Sequence, residues 1–187
     1  MAPAHGSLPA GAAVKLRISR NAPIWAWLLI FMMIASVLGL LNRLTTQVQQ
    51  ADRSRDQLKQ VHHILMLYER EHGHFPTLDF FPEEPFRDSE SILQVLRPYG
   101  LDPAWLISPS APNVLREHGI SFLWNTALNR RSLDSLIEPV WMLVDIQALD
   151  DRLPGPHFRS YHILYTDGRV VRSPSPPHTL PVHFDSP

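Results

Sequence analysis

The segment IWAWLLIFMMIASVLGLL, residues 24–41, is mostly apolar and contains no charged residue. At 1.5 Å of rise per residue, a helix of this length extends roughly 27 Å, close to the thickness of about 30 Å of a bilayer's hydrocarbon core. Trp25 and Trp27 lie at one end, where tryptophan favours the membrane–water interface. The segment therefore predicts a single transmembrane helix over residues 23–42.

Two other interpretations fit this segment less well. A buried core helix has to be covered on every face, and a chain of 187 residues has little other structure with which to cover it. A cleavable signal peptide usually has an apolar region of about 7–15 residues followed by a small-x-small site, and neither feature is present. We therefore expect the anchor to be retained.

Charges on either side of the span bear on its orientation. Lys15, Arg17 and Arg20 precede it, and no acidic residue occurs before Asp52, which favours a cytoplasmic N-terminus. Arg43 and other basic residues follow the span and weaken this bias. Residues 1–22, rich in Ala, Gly and Pro, are predicted to form a disordered cytoplasmic tail.

Composition excludes several classes of function. The 17 basic and 18 acidic residues nearly cancel, so the chain lacks the positive field of a nucleic-acid binder. There is no cysteine, which excludes disulfides, thiolate nucleophiles and cysteine-based metal centres. The length suits one domain of ordinary size in addition to the anchor.

The helical pattern continues beyond the membrane segment as an amphipathic stem, residues 43–73. No proline or glycine occurs between Leu40 and Gly73, so the helix has no reason to break. Gly73 supplies a left-handed cap and Pro76 prevents the helix from resuming. Apolar residues recur at spacings of three or four, and Arg55 is expected to fill the one gap between them: Leu41, Leu44, Val48, Ala51, Leu58, Val61, Leu65, Tyr68.

Residues 74–173 predict a small head of mixed structure. A short helix is expected from a cap at Asp88 or Ser89 to Pro98, followed by a crossing loop over residues 101–119 with at most one helical turn at Pro103. ISFLWN (120–125) and PVWMLVD (139–145) predict strands, because they are apolar and rich in aromatic and β-branched residues.

Two further strands are predicted to form a hairpin, YHILYT and RVVRS, joined by Asp167-Gly168. Asp-Gly favours a two-residue type I′ turn, which pairs Thr166 with Arg169, Tyr165 with Val170 and Leu164 with Val171. Residues 174–187 are too rich in proline for a central strand and are predicted to form a disordered tail. The expected fold class is α+β, a long N-terminal helix packed on a small antiparallel sheet.

The end of the stem and the head contain several short motifs in a fixed order. LKQVHHILMLYEREHGHFPTL (58–78) has a tyrosine-bearing turn followed by a charged residue, a glycine, an aromatic residue and a proline. ISPSAP (107–112), SFLWN (121–125) and PVWMLVD (139–145) follow, and His157 then precedes Asp167 by ten residues. This layout resembles the type II secretion pseudopilin-like family of planctomycetes and verrucomicrobia, which is related to type II secretion protein G and to type IV pilins, with Ser108 where cysteine is common and His162 in the place of an asparagine.

The resemblance implies a pilin-like fold and a non-enzymatic, structural or interaction role without a cofactor. It implies a component of a type II secretion or type IV pilus-like system in the bacterial inner membrane, with a periplasmic head. The implied partners are the lipid bilayer and other pseudopilin-like subunits or secretion-system membrane proteins. SRNAPIWAW (19–27) lacks the glycine and the glutamate of a prepilin peptidase site, so processing and filament assembly remain open.

An alternative function is that of a membrane-tethered enzyme or a ligand- or metal-binding module that uses Asp145, His157 and Asp167, together with His162. Imidazole and carboxylate groups suit several divalent metals. A structural role is favoured, because Asp167 belongs to the turn, His157 lies in a Pro-Gly-Pro-His loop and His162 projects from a strand. We therefore expect no catalytic, cofactor-binding or metal-binding residue.

Three other groups of residues are candidates for a metal site, a calcium site and a partner-binding patch. His62, His63, His72 and His74 do not share one helix face, which argues against a metal site. Asp145, Asp150 and Asp151 carry oxygen ligands for calcium, but their spacing matches no known calcium loop. Some aromatic residues are expected either in the core or in an exposed partner-binding patch: Trp105, Trp124, Trp141, Phe80 and Phe81.

Overall fold

The computed structural model describes residues 23–149 and 160–177. Several sequence predictions fall outside these ranges. They are the N-terminal tail 1–22, the candidate residues His157, Asp150 and Asp151, and residues 178–187 of the C-terminal tail.

Within these ranges the chain is an α+β protein, as the sequence predicts. It has a long helix α1 (Ile24–His72), two short helices α2 (Ile92–Leu96) and α3 (Asn113–His118), and four strands. The strands are β1 (Phe122–Trp124), β2 (Trp141–Asp145), β3 (Tyr161–Tyr165) and β4 (Val170–Ser173). By its internal contacts the chain divides into two units, with the boundary between Asn42 and Arg43.

The apolar N-terminal part of α1 belongs to the first unit. None of residues 24–41 is buried, and large side chains such as Phe31 (71% exposed) and Met32 (65% exposed) face outward. One helix among the described residues, α1, is long and apolar enough to cross a membrane, and its position near the N-terminus also suits a signal sequence.

The second unit begins with the stem part of α1. Its buried face includes Ala51, Leu58, Val61 and Leu65, as the spacing predicts. The prediction for the gap in this face is wrong, because Ser54 fills it while Arg55 is exposed. The sequence contained the signal for Ser54, since position 54 follows Ala51 by three and precedes Leu58 by four.

The four strands form one antiparallel sheet in the order β1-β2-β3-β4. Trp141 pairs with Tyr165, but Leu143 pairs with Leu164, so Met142 is an extra residue in β2 and forms a bulge. The bulge lets both Met142 and Leu143 join the core cluster that contains the buried stem residues.

The sheet separates two apolar layers. The larger layer packs sheet residues such as Phe122, Trp124 and Leu164 against Leu58 and Leu65 of the stem. The smaller layer lies on the opposite face and contains Leu123, Trp141, Val144, Tyr161 and Ile163. Successive residues of β1 and β3 alternate between the two layers, as the two-residue period of a strand predicts when both faces of the sheet are buried.

The predicted hairpin exists, but its predicted register is wrong by one residue. Leu164 pairs with Val170, not with Val171. The Tyr165 N–H donates to the Arg169 carbonyl and the Gly168 N–H donates to the Tyr165 carbonyl, so the loop has three residues, Thr166 to Gly168. Gly168 has a φ of 79°, whereas Asp167 does not have the positive φ that a type I′ turn requires.

The helical turns of the head also differ from the prediction. Helix α2 is capped by Ser91, whose side chain accepts from the Leu93 N–H, and not by Asp88 or Ser89. The predicted turn at Pro103 is present over Pro103–Leu106. Helix α3 was expected to be loop, although Pro112 before it and Gly119 after it are typical of helix ends.

Candidate functional site

The structure brings together two of the predicted site residues, Asp145 and His162. Asp145 is the last residue of β2, and its Oδ2 accepts a hydrogen bond of 2.7 Å from the backbone N–H of His162 in β3. The imidazole Nδ1 of His162 is hydrogen-bonded to Ser54 Oγ at 3.2 Å. This polar cluster of Asp145, His162 and Ser54 ties the sheet to the stem helix.

All three residues of the polar cluster are buried, since Ser54 is 0%, Asp145 1% and His162 4% exposed. They face the stem because Leu143 and Leu164, two residues from Asp145 and His162 along their strands, pack against it. Sequence reasoning missed Ser54, the member supplied by the helix.

Asp145 is the residue with the most unusual electrostatics. Burial raises the pKa of its carboxyl to about 7, against the lowering effect of the hydrogen bond from His162. Its Oδ1 atom has no hydrogen-bond partner in the part of the chain that the structure describes. With a pKa of about 7, this buried carboxyl is mostly protonated, and therefore uncharged, below pH 7.

Asp167 does not belong to this cluster. Asp167 lies in the loop after the C-terminal end of β3. At about 3.3 Å per strand residue, Tyr165 at that end is already roughly 10 Å from His162, the neighbour of Asp145, so Asp167 and Asp145 are roughly 10 Å or more apart. Desolvation alone would raise the pKa of Asp167, but hydrogen bonds from the Arg169 N–H and guanidinium lower it. Asp167 therefore serves the turn. His157 lies outside the described residues.

The other candidate histidines do not form one site: His62, His72 and His74 have separate contacts, and His63 is exposed. His62 Nε2 lies 3.1 Å from the Thr166 carbonyl oxygen and thus connects the helix with the hairpin loop. His72 stacks on Tyr68 with ring centroids 4.1 Å apart, and His74 lies 6.2 Å from His72. Over residues 23–149 and 160–177, no three His, Asp or Glu side chains are grouped so that they could hold a metal ion.

The aromatic candidates divide between core and partial burial. Trp124 and Trp141 are buried, which confirms the core interpretation for them. Trp105 is half-buried against the larger layer, and Phe80 and Phe81 are half-buried near the smaller one. Of the calcium candidates, Asp145 is buried, and Asp150 and Asp151 lie outside the described residues.

Several residues of the head segments that resemble pseudopilin motifs have structural hydrogen bonds. Asn125 donates from Nδ2 to the Trp141 carbonyl at 2.8 Å and accepts from the Ala127 N–H. Ser108 donates from its backbone N–H to Ser121 Oγ at 2.7 Å. These hydrogen bonds hold loops and strand ends in place, so the motif residues have a structural role in the backbone.

Comparisons with protein-family models, with curated proteins and with solved structures find no match for this chain. Its function must therefore be inferred from its own residues.

Proposed function

We propose that the protein is a membrane-anchored, pseudopilin-like component of a type II secretion or type IV pilus-like system, with a structural or interaction role. In this role the N-terminal helix anchors the chain in the bacterial inner membrane, with its N-terminus in the cytoplasm and its head in the periplasm. The head would contact other pseudopilin-like subunits or membrane proteins of the secretion system.

The observation that carries this proposal is the change in environment along one helix. From Ile24 to Val48 the large apolar side chains of α1 are exposed, whereas from Ala51 onward one face is buried by the sheet. A continuous apolar surface of this extent requires lipid or other helices to cover it. The same helix thus supplies both an anchor and the backbone of the head.

The polar cluster supports a structural role more than a catalytic one. Catalysis needs several groups that converge on a space for substrate. In the described residues Asp145 has a hydrogen bond with the His162 backbone, His162 has one with Ser54, and Asp167 lies at the far end of β3. The hydrogen bonds among Asp145, His162 and Ser54 hold the helix against the sheet, and those of Asp167 hold the turn.

A photo-crosslinking amino acid placed at Val48 tests the proposal in membranes of the source cell. Val48 is 49% exposed and lies just before the buried face of the stem. We expect crosslinks to a pseudopilin-like subunit or another secretion-system membrane protein, identified by mass spectrometry. The matched control carries the same amino acid at Ala127, an exposed position in the head.

Crosslinks from Val48 that join only proteins unrelated to secretion, or no crosslinks in membranes where the protein is abundant, would refute the proposed role. Capture of the same unrelated membrane proteins from both Val48 and Ala127 would also count against it, because the contacts of the stem are then not specific.

A further inference from the structure

The loop of the hairpin contains a sequence that is prone to a spontaneous chemical change. Asp167-Gly168 is the one Asp-Gly pair of the chain, and glycine has no side chain to shield its backbone nitrogen. In such a pair the glycine nitrogen can attack the aspartate Cγ, and the protonated carboxyl and the amide N–H together release one water to form a succinimide ring. Water then adds to either ring carbonyl and yields aspartate or isoaspartate.

This rearrangement needs a glycine nitrogen that is free to reach Cγ. In the structure the Gly168 N–H donates a hydrogen bond of 2.9 Å to the Tyr165 carbonyl. The same glycine lies against the His62 ring, since a Cβ built on it would lie 3.0 Å from that ring. The loop backbone is therefore held from two sides, and its nitrogen has to leave a hydrogen bond before it can react.

The rearrangement also needs a neutral carboxyl, because an ionised carboxylate cannot leave as water. Asp167 accepts a hydrogen bond of 3.1 Å from the Arg169 backbone N–H and another from the Arg169 guanidinium. Desolvation raises the pKa of Asp167, but these two hydrogen bonds and the arginine charge outweigh it and lower the pKa. The carboxyl is thus ionised at neutral pH, and rotation of either oxygen away from Arg169 breaks a charge-assisted contact.

We propose that Asp167-Gly168 is a site of isoaspartate formation that the folded hairpin keeps closed, and that Arg169 is the residue that protects it. The rearrangement is confined to chains in which the loop has opened, because only there are the nitrogen and the carboxyl both released. The site goes beyond the proposed structural role and does not depend on it.

Formation of isoaspartate changes the loop and its contact with the stem helix. The product carries one additional methylene in the main chain, in a loop of three residues, Thr166 to Gly168. This loop supplies the Thr166 carbonyl that lies 3.1 Å from His62 Nε2, and Thr166 Oγ1 accepts from the Val140 N–H. The modified loop cannot keep the length that sets these contacts, so the modification loosens the hairpin from the stem.

The test follows the full chain, folded in detergent at neutral pH, as it ages in water labelled with ¹⁸O. Each passage through the succinimide adds one ¹⁸O atom to residue 167, which mass spectrometry of the peptide detects. We expect Arg169→Gln to gain label about tenfold faster than wild type, because it loses a charge-assisted contact. Arg87→Gln is the matched control, since Arg87 also pairs with a carboxylate, that of Glu84, and this variant should label like wild type.

The same ageing in urea separates protection by the fold from an effect of the sequence. There wild type and Arg169→Gln should label at equal rates, both at least about tenfold faster than folded wild type. Gly100→Ala, which is destabilised by its positive φ but retains Arg169, controls for global unfolding and should label like folded wild type.

Three results would overturn the proposal: folded wild type that labels as fast as the unfolded chain, Arg169→Gln that labels like Arg87→Gln, or Gly100→Ala that labels as fast as Arg169→Gln. The absence of isoaspartate among the labelled products would also overturn it.

Discussion

Asp145 shows how one buried residue links the fold to pH. Its carboxyl is almost inaccessible to water and, among the described residues, has a single hydrogen bond, from the His162 N–H. Because burial disfavours the ionised form, the pKa of Asp145 rises from 3.8 to about 7 in the folded chain. Between these values the folded chain holds a proton that the unfolded chain has released.

The free energy of unfolding should therefore fall as the pH rises from about 4 to about 7. The stabilisation by neutral Asp145 is fully present when the pH is below the pKa of the unfolded chain, and it is lost as the pH rises to the pKa of the folded chain. At 1.36 kcal/mol per pKa unit, the free energy of unfolding changes by about 4 kcal/mol over this range. Asp145→Asn cannot ionise, so its stability should lack this component. Urea unfolding of the full chain in detergent, followed between pH 4 and 8, measures the difference.

Asp167→Asn is the control for this measurement. The pKa of Asp167 is lowered in the folded chain, so its contribution is present at neutral pH and is lost as the pH falls through the folded pKa. Its pH dependence has the opposite sign to that of Asp145. Parallel pH profiles for wild type and Asp145→Asn would show that Asp145 is not held neutral by burial.

At the scale of elements, the hairpin is positioned by its contact with the stem helix as well as by its own turn. Its three-residue loop places Gly168 against the His62 ring, and a Cβ built on Gly168 would lie 3.0 Å from that ring. The loop also contacts β2, since the Thr166 N–H donates to the Val140 carbonyl and Thr166 Oγ1 accepts from the Val140 N–H. The hairpin loop thus contacts both the stem helix and the sheet.

Gly168→Ala should destabilise the protein through backbone strain and through this close contact. A positive φ costs a residue with a side chain about 1–2 kcal/mol, and the crowding by His62 adds to that cost. Gly100→Ala is the matched control, because Gly100 has a φ of 86° but open space around it. Chemical unfolding of both variants gives the comparison.

Replacing His62 by Ala in both backgrounds isolates the contact. The extra cost of Gly168→Ala over Gly100→Ala should disappear when His62 is absent. If the two glycine variants lose the same stability in the presence of His62, the helix does not constrain the loop.

At the scale of the whole molecule, the core of the second unit depends on the stem but not on the apolar segment. The buried stem residues begin at Ala51, and none of residues 24–41 is buried. A chain that starts at Arg43 should therefore remain folded without a membrane, and we expect the full chain to be extracted from membranes only by detergent.

A shorter chain that starts at Lys59 tests the contribution of the stem. It lacks Ala51, Ser54 and Leu58, all of them buried. Loss of Leu58 alone is expected to cost about 2–5 kcal/mol. We expect the chain from Arg43 to unfold cooperatively on heating, as measured by circular dichroism, and the chain from Lys59 to show little or no transition. Equal transitions would indicate that the head folds without the stem contacts.

Local patterns in the sequence predict the long helix, the short helix α2 and the four strands, but not helix α3. Residues 24–41 predicted an apolar helix of membrane length, and Gly73 with Pro76 predicted its end at His72. Runs of β-branched and aromatic residues predicted all four strands. These features follow from helix caps, proline and glycine geometry, and hydrophobic periodicity, which act between residues close together in the chain.

The tertiary structure alone decided the hairpin register, the burial of Asp145 and the partnership of His162 with Ser54. Asp167-Gly168 is compatible with a two-residue or a three-residue loop. The three-residue loop is formed because its register directs Val170 toward the core and leaves Val171 exposed. Asp145 and His162 are separated in sequence from Ser54 by most of the head. Contacts of that range depend on how the sheet packs on the helix, which local propensities do not specify.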